Sequence, residues 1–162
     1  MIWKNKKTIK KLIELNKTIA IAESCTGGLV AKKITDIPGA SKIFGYGIVS
    51  YSNQAKIDLL KVKEETLIKH TAVSMQTSEE MASGVRKLSG ADIGISTTGY
   101  AGGNTPFGKN GKVFITVDTN NFTLTAEIPP ANRSRWLTRH LATNTALKLI
   151  SELLKRGDFE NA

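Results

Sequence analysis

The residues best placed to do chemistry in this chain are Glu23-Ser24-Cys25-Thr26-Gly27-Gly28, directly after a short apolar stretch. A serine at the point where a buried strand turns into a helix can act as a nucleophile. Backbone N–H groups at such a turn can stabilise the oxyanion of an acyl transfer, and Gly27 and Gly28 let a substrate approach the backbone. The same spacing also fits a plain N-cap with two glycines that permit a tight turn, and on spacing alone that is the commoner case. Cys25 is a second candidate nucleophile, although a lone cysteine is more often a small buried apolar residue. A serine needs a base. His70 follows Lys69 at a helix end and His140 lies inside the last helix, so neither is well placed. A lysine can serve when burial or a neighbouring cation lowers its pKa, and spacing does not say which lysine.

The elements that must position these residues follow from periodicity and turn signals. A helix is predicted over 5–16, where Ile9, Leu12 and Ile13 recur at helical spacing, and a short buried strand over 18–22. A helix over 29–34 ends at Pro38-Gly39, and a second strand covers 45–50. Asn53 is placed to cap a helix through Ala55, Lys56, Leu59 and Leu60, with a further short helix over 64–69. The Thr77 to Glu80 spacing reads as a capping box opening a helix to about Leu88. The third strand is 93–97, a glycine-rich loop covers 99–111, and strands 112–118 and 123–128 make a hairpin around Asn120-Asn121. Pro129-Pro130 precedes a final helix over 134–155. This order implies α/β architecture, a mixed-sheet sandwich in a single domain spanning residues 1–162.

Composition narrows the class. With 40% hydrophobic and 23% charged residues in a chain of 162, the protein is globular. No apolar run approaches the roughly 20 residues of a membrane span, and none follows the basic start as a secretory signal would. A single cysteine cannot form an internal disulfide, and there is no cysteine pair for a zinc site. A cytoplasmic protein without membrane contact or metal is therefore expected. The formal net charge is +9, concentrated in residues 1–63, which hold twelve lysines and four acids. Nucleic-acid binding is one reading of that asymmetry. The lysines at 4, 6, 7, 10, 11 and 17 flank an apolar stripe, however, and no aromatic residues interleave with them beyond Trp3 beside Lys4. A solvated face of an amphipathic helix is favoured over a nucleic-acid surface.

The segments 22–28 (Ala-Glu-Ser-Cys-Thr-Gly-Gly), 34–40 (Ile-Thr-Asp-Ile-Pro-Gly-Ala) and 48–56 (Ile-Val-Ser-Tyr-Ser-Asn-Gln-Ala-Lys) together resemble the CinA C-terminal domain family. The resemblance continues through 65–67, 72–74 and 80–82 and resumes at 98–102, so it covers nearly the whole chain. It implies that the mixed-sheet sandwich takes the three-layer α/β/α form, in a domain usually found as a homo-oligomer. It also implies a nicotinamide-nucleotide amidase, of the stand-alone type, that hydrolyses the carboxamide of nicotinamide mononucleotide to nicotinic acid mononucleotide and ammonia without a cofactor. Carried over position by position, Ser24 is the nucleophile, Lys56 the base and Tyr51 a hydrogen-bonding partner near both. Backbone N–H groups around Cys25, Thr26, Gly27 and Gly28 would hold the oxyanion. Thr98, Gly99, Ala101, Gly102, Arg135 and Arg139 would contact the substrate. Tyr51 and Lys56 are five apart, which does not meet the four-residue spacing of short-chain dehydrogenases, and no Gly-x-Gly-x-x-Gly follows the first strand.

Two stretches depart from the family pattern. Gly103 stands where the family has proline, and the residues after Lys109 are rearranged to Asn110-Gly111-Lys112. Before the last helix the family's Gly-Asp-Arg is replaced by Arg133-Ser134-Arg135, with Arg139 four residues on. A glycine-rich loop and two arginines on one helix face suit a phosphate. The alternatives are an amidase for another small amide, signalled by the altered 99–111 loop, and a non-catalytic nucleotide- or nucleic-acid-binding member of the same fold, signalled by the basic N-terminal half.

Overall fold

A computed structural model describes residues 2–103, 105, 108 and 110–156. Five strands form one mixed sheet in the order β2-β1-β3-β4-β5: β1 (Ile19–Glu23), β2 (Phe44–Val49), β3 (Ile93–Gly99), β4 (Val113–Asp118) and β5 (Thr123–Ile128). β1 runs parallel to both β2 and β3, while β3-β4 and β4-β5 are antiparallel. One face of the sheet carries α1 (Ile2–Glu14), α2 (Leu29–Thr35) and α6 (Arg135–Lys155). The other carries α3 (Asn53–Leu60), α4 (Glu64–His70) and α5 (Met75–Ser89). This is the mixed-sheet α/β sandwich expected from the element order, in the three-layer α/β/α form that the family resemblance implies. Among the described residues no helix is long and apolar enough to cross a membrane.

The alternation along β1 explains the layers. Ile19 and Ile21 enter a core with Ile9, Leu12, Val30, Ile34 and Ile150, while Ala20 and Ala22 point to the opposite core with Leu60, Met81 and Val85. Both faces of β1 are covered, as a central parallel strand requires. The second face is filled by small residues because α5 lies close to the sheet. A Cβ on Gly94 would sit 2.1 Å from the Ala82 carbonyl oxygen, and one on Gly84 would sit 2.0 Å from that of Leu60.

The connections leave β1 towards β2 through α2 on one face, and return to β3 through α3, α4 and α5 on the other. The carboxyl end of β1 therefore lies at the point where the strand order reverses, which is where open α/β sheets bind ligands. Helix α1 begins at Ile2 rather than residue 5, and the caps of α3 and α5 also differ from the sequence prediction. Ser52 caps α3 through Ala55 N–H, so Asn53 is already helical. α5 starts at Met75 with Ser74 as cap, its Oγ accepting from Thr77 N–H, so the helix opens before Thr77. Glu80 reaches outward instead, accepting from Lys63 N–H at the start of α4 and from the Thr66 hydroxyl.

Because the nearest obstacle to a side chain at Gly84 is the backbone of α3, Gly84→Ala must displace α5 from α3. Overpacking of this kind costs about 1–3 kcal/mol. A urea unfolding curve should show a lowered midpoint with unchanged slope, and an unchanged midpoint would contradict this packing.

Candidate functional site

The end of β1 carries Glu23, and the chain turns through 24–28 into α2. Ser24 N–H donates to Thr97 O at 2.9 Å, which pins the serine backbone to β3. Thr26 and Thr97 hydroxyls pair at 2.6 Å in the interior. Gly27 and Gly28 have φ of 58° and 92°, the left-handed region that glycine adopts without steric cost, which is why the turn needs both. Ser24 is thus held on a rigid corner with its side chain at the edge of the interior, 9% exposed.

Lys56, one turn into α3, points back at this corner. It is 1% exposed and among the largest fully buried side chains in the molecule. Its Nζ lies 3.4 Å from Ser24 Oγ, donates to Ser50 O at 2.8 Å, and approaches Tyr51 O and Ser52 O at 3.4 and 3.5 Å. No carboxylate pairs with it among the described residues. Burial lowers its pKa from the ordinary lysine value, and the nearby Cys25 opposes that shift. Carbonyl acceptors fix the amine in place without supplying the negative charge that would hold it protonated. A neutral lysine can donate to backbone oxygens and still present a lone pair to the serine hydroxyl.

Cys25 is a poor rival. It is buried, and desolvation pushes its thiol up to about 12, so at neutral pH it is not a thiolate. The turn also sorts its own amides. Gly28 N–H is taken by the Glu23 carboxylate and Gly27 N–H by Ser24 O. Of the four amides proposed for the oxyanion, only those of Cys25 and Thr26 have no acceptor in another residue among the described residues.

Tyr51 lies beside Lys56 through its backbone. Its carbonyl faces Lys56, but its side chain is exposed and its hydroxyl accepts from Arg135 Nη2 at 3.0 Å. No hydrogen bond joins the phenol to Ser24 or Lys56. Arg139 forks onto Thr26 O through Nη2 at 2.6 Å and Nε at 3.2 Å, clamping the nucleophile turn from α6. Neither arginine is paired with a carboxylate among the described residues, so the first turns of α6 bring positive charge to the turn. Thr98 donates its hydroxyl to Ala72 O at 2.6 Å, which ties β3 to the start of α5. Gly99 pairs with Val113, and a Cβ there would meet the Lys112 carbonyl at 2.6 Å. Gly102 packs on Arg135, where a Cβ would lie 3.0 Å from the arginine Cβ, so the loop containing buried Ala101 lies against the start of α6. Lys109 lies outside the described residues.

Sequence reasoning left three contributors unassigned. These are Ser50, whose carbonyl holds Lys56; Thr97, which anchors the turn; and Glu23, which binds the amides of α2. Only Glu23 had a visible signal, an acid next to the candidate nucleophile at a strand end. A groove of about 640 Å³ between α1 and α6, lined by Lys7, Lys10, Lys11, Lys155, Thr8 and Ser151 among others, includes neither Ser24 nor Lys56.

Comparison with known proteins shows the family and the fold. The profile of the CinA C-terminal domain matches residues 4–154. The chain belongs to the CinA C-terminal domain family. A CinA-like protein of Desulfovibrio desulfuricans is 44% identical over 146 residues, covering 88% of this chain and 34% of that relative. A relative in Thermoanaerobacter sp. (strain X514), named as competence-damage inducible, is 55% identical over 115 residues, 69% of this chain and 28% of its own length. The chain thus spans about a third of the curated relatives it matches. The crystal structure of a CinA superfamily protein from Klebsiella pneumoniae 700603 superposes with a TM-score of 0.89 at 28% identity, over 96% of this chain and 98% of the other. That of a competence/damage inducible protein from Agrobacterium tumefaciens gives 0.86 at 34% identity, over 93% and 95%. The CinA C-terminal fold therefore carries Ser24 and Lys56 on the elements just described.

The lowered Lys56 pKa has a stability consequence. Between that value and the ordinary lysine value of about 10.4 the unfolded chain binds more protons than the folded one, so folding becomes more favourable as pH rises through this window. Lys56→Met cannot titrate. Denaturant unfolding from pH 7 to 10 should show wild type gaining stability relative to Lys56→Met, and a pH-independent difference would contradict the burial account.

Proposed function

We propose that residues 1–162 act as one unit, an amidohydrolase with Ser24 as nucleophile and Lys56 as base, and that its substrate is the carboxamide of nicotinamide mononucleotide. The observation that carries the reading is the 3.4 Å approach of Ser24 Oγ to a buried lysine amine that has no carboxylate partner among the described residues. Apo contacts of this length tighten when substrate binds.

In the proposed reaction Lys56 accepts the Ser24 proton as Oγ attacks the carboxamide carbon. The negative charge on the carbonyl oxygen is met by the N–H groups of Cys25 and Thr26, with the Arg139 clamp keeping the Thr26 peptide fixed. Lys56 then returns the proton to the nitrogen, the C–N bond breaks, and ammonia leaves an ester on Ser24. Water, deprotonated by the same lysine, cleaves the ester and restores the hydroxyl, so one amide and one water become one acid and one ammonia. Arg135 and the loop that includes Gly99, Ala101 and Gly102 would receive the nucleotide's phosphate and ribose, since a dianion suits an arginine without a carboxylate partner. A different small amide is the second reading, favoured by the loop whose sequence departs from the family pattern and which packs on Arg135.

Incubating purified protein with nicotinamide mononucleotide should yield nicotinic acid mononucleotide and ammonia. Ser24→Ala should abolish turnover with an almost unchanged unfolding curve, and Lys56→Ala should lower kcat by about 10²–10⁴-fold. Cys25→Ala should retain activity. Turnover by Ser24→Ala would overturn the assignment, and turnover of other amides alone would select the second reading.

A further inference from the structure

Glu23 directly precedes the nucleophile and is 1% exposed. Among the described residues it forms no ion pair. Instead its Oε2 accepts from the N–H groups of Gly28 at 2.9 Å and Val30 at 3.1 Å, and its Oε1 from Ala31 N–H at 2.8 Å. These bonds close a ring from the end of β1, around the 24–28 turn, to the first turn of α2. That helix has no side-chain cap from its own N-cap residue, Gly28; Leu29 N–H donates to Thr26 O, and Glu23 satisfies the amides of Gly28, Val30 and Ala31. The backbone N–H of Ser50 donates to Glu23 O at 2.8 Å, so the same residue also joins the turn to the end of β2, beside the carbonyl that holds Lys56.

This arrangement has two effects on the site. It commits the amides of Gly28, Val30 and Ala31 to a protein carboxylate, so a substrate oxygen has only those of Cys25 and Thr26 to use in the turn. It also ties down one side of a turn with two positive-φ glycines, while Arg139 holds the other side through Thr26 O. Without the carboxylate, several buried N–H groups lose their acceptor and the turn must rearrange to satisfy them.

We propose that Glu23 is a positioning residue of the hydrolytic site, holding the turn so that Ser24 Oγ stays within reach of Lys56 and the Cys25 and Thr26 amides stay unclaimed. The proposal rests on the reading of Ser24 as nucleophile. Glutamine is the sharpest replacement, because its amide presents a donor where the carboxylate has only acceptors, setting NH₂ against a backbone N–H. Aspartate keeps the charge but is one methylene too short to serve all the amides from the end of β1.

The test measures kcat, KM and the pH profile of wild type, Glu23→Gln and Glu23→Asp, together with the rate at which a fluorophosphonate probe labels Ser24, each normalised to the folded fraction from circular dichroism. A displaced nucleophile should lower kcat and the labelling rate by about 10²-fold. KM and the pH midpoint should change little, because substrate contacts and Lys56 are untouched. Wild-type rates per folded molecule in Glu23→Gln, with or without lost stability, would make Glu23 a purely structural residue and overturn the proposal. If Glu23→Gln does not fold, Glu23→Asp decides on the same criteria. Failure of the probe to label Ser24 in wild type, with no amide turned over, would instead overturn the nucleophile reading and take this role with it.

Discussion

Burying the amine of Lys56 without a counter-charge is the constraint on which the rest of this structure depends. Removing an ammonium from water costs several kcal/mol even in a relaxed protein interior, and no carboxylate among the described residues offsets it here. What the fold provides is a row of backbone carbonyls at the end of β2 and the start of α3, from Ser50 to Ser52. The Ser52 hydroxyl caps the helix that follows them, and α3 packs on α5 closely enough that a Cβ on Gly84 would meet the Leu60 carbonyl. Interiors seldom retain a buried amine of this kind for stability's sake, and its place beside a serine is what the proposed base role would explain.

The remainder of the site follows from strand order. Because β1 lies between β2 and β3, one short turn touches three strand ends at once. Ser24 and Thr26 bind Thr97 of β3, Glu23 binds the chain leaving β2, and Lys56 arrives from the helix that β2 leads into. α6 closes the arrangement from the far end of the sequence, with Arg139 on the Thr26 carbonyl and Arg135 on the Tyr51 hydroxyl. Buried hydroxyls do similar work deeper in the layer between α5 and the sheet, where Ser78, Ser96 and Thr116 satisfy one another. Each cluster of buried hydroxyls thus satisfies its own members, as a polar interior requires.

The elements were readable from the sequence wherever an apolar period met a clear stop, as in β1, the β4-β5 hairpin and α6. Two caps were misread because several serines, threonines and asparagines compete at the starts of α3 and α5, and spacing alone does not choose between Ser52 and Asn53. The pairing of Ser24 with Lys56 was not legible from spacing. The two lie 32 positions apart and meet only through the β1-β2 register, so the assignment came from family resemblance. Tyr51 shows the limit of that route, since its backbone sits by the base while its side chain turns to Arg135. Glu23 escaped notice because its acceptors reach five to eight residues ahead, outside any local capping pattern.

The central claim is that Lys56 is held ready as a neutral base. Titrating the lysine side-chain amines by NMR in the folded protein, with the Lys56 resonance assigned by its loss in Lys56→Met, measures this directly. The account predicts that the Lys56 amine titrates well below the other lysines and shifts when Ser24 is replaced by alanine. A Lys56 amine that titrates with the surface lysines, near about 10.4, would contradict it.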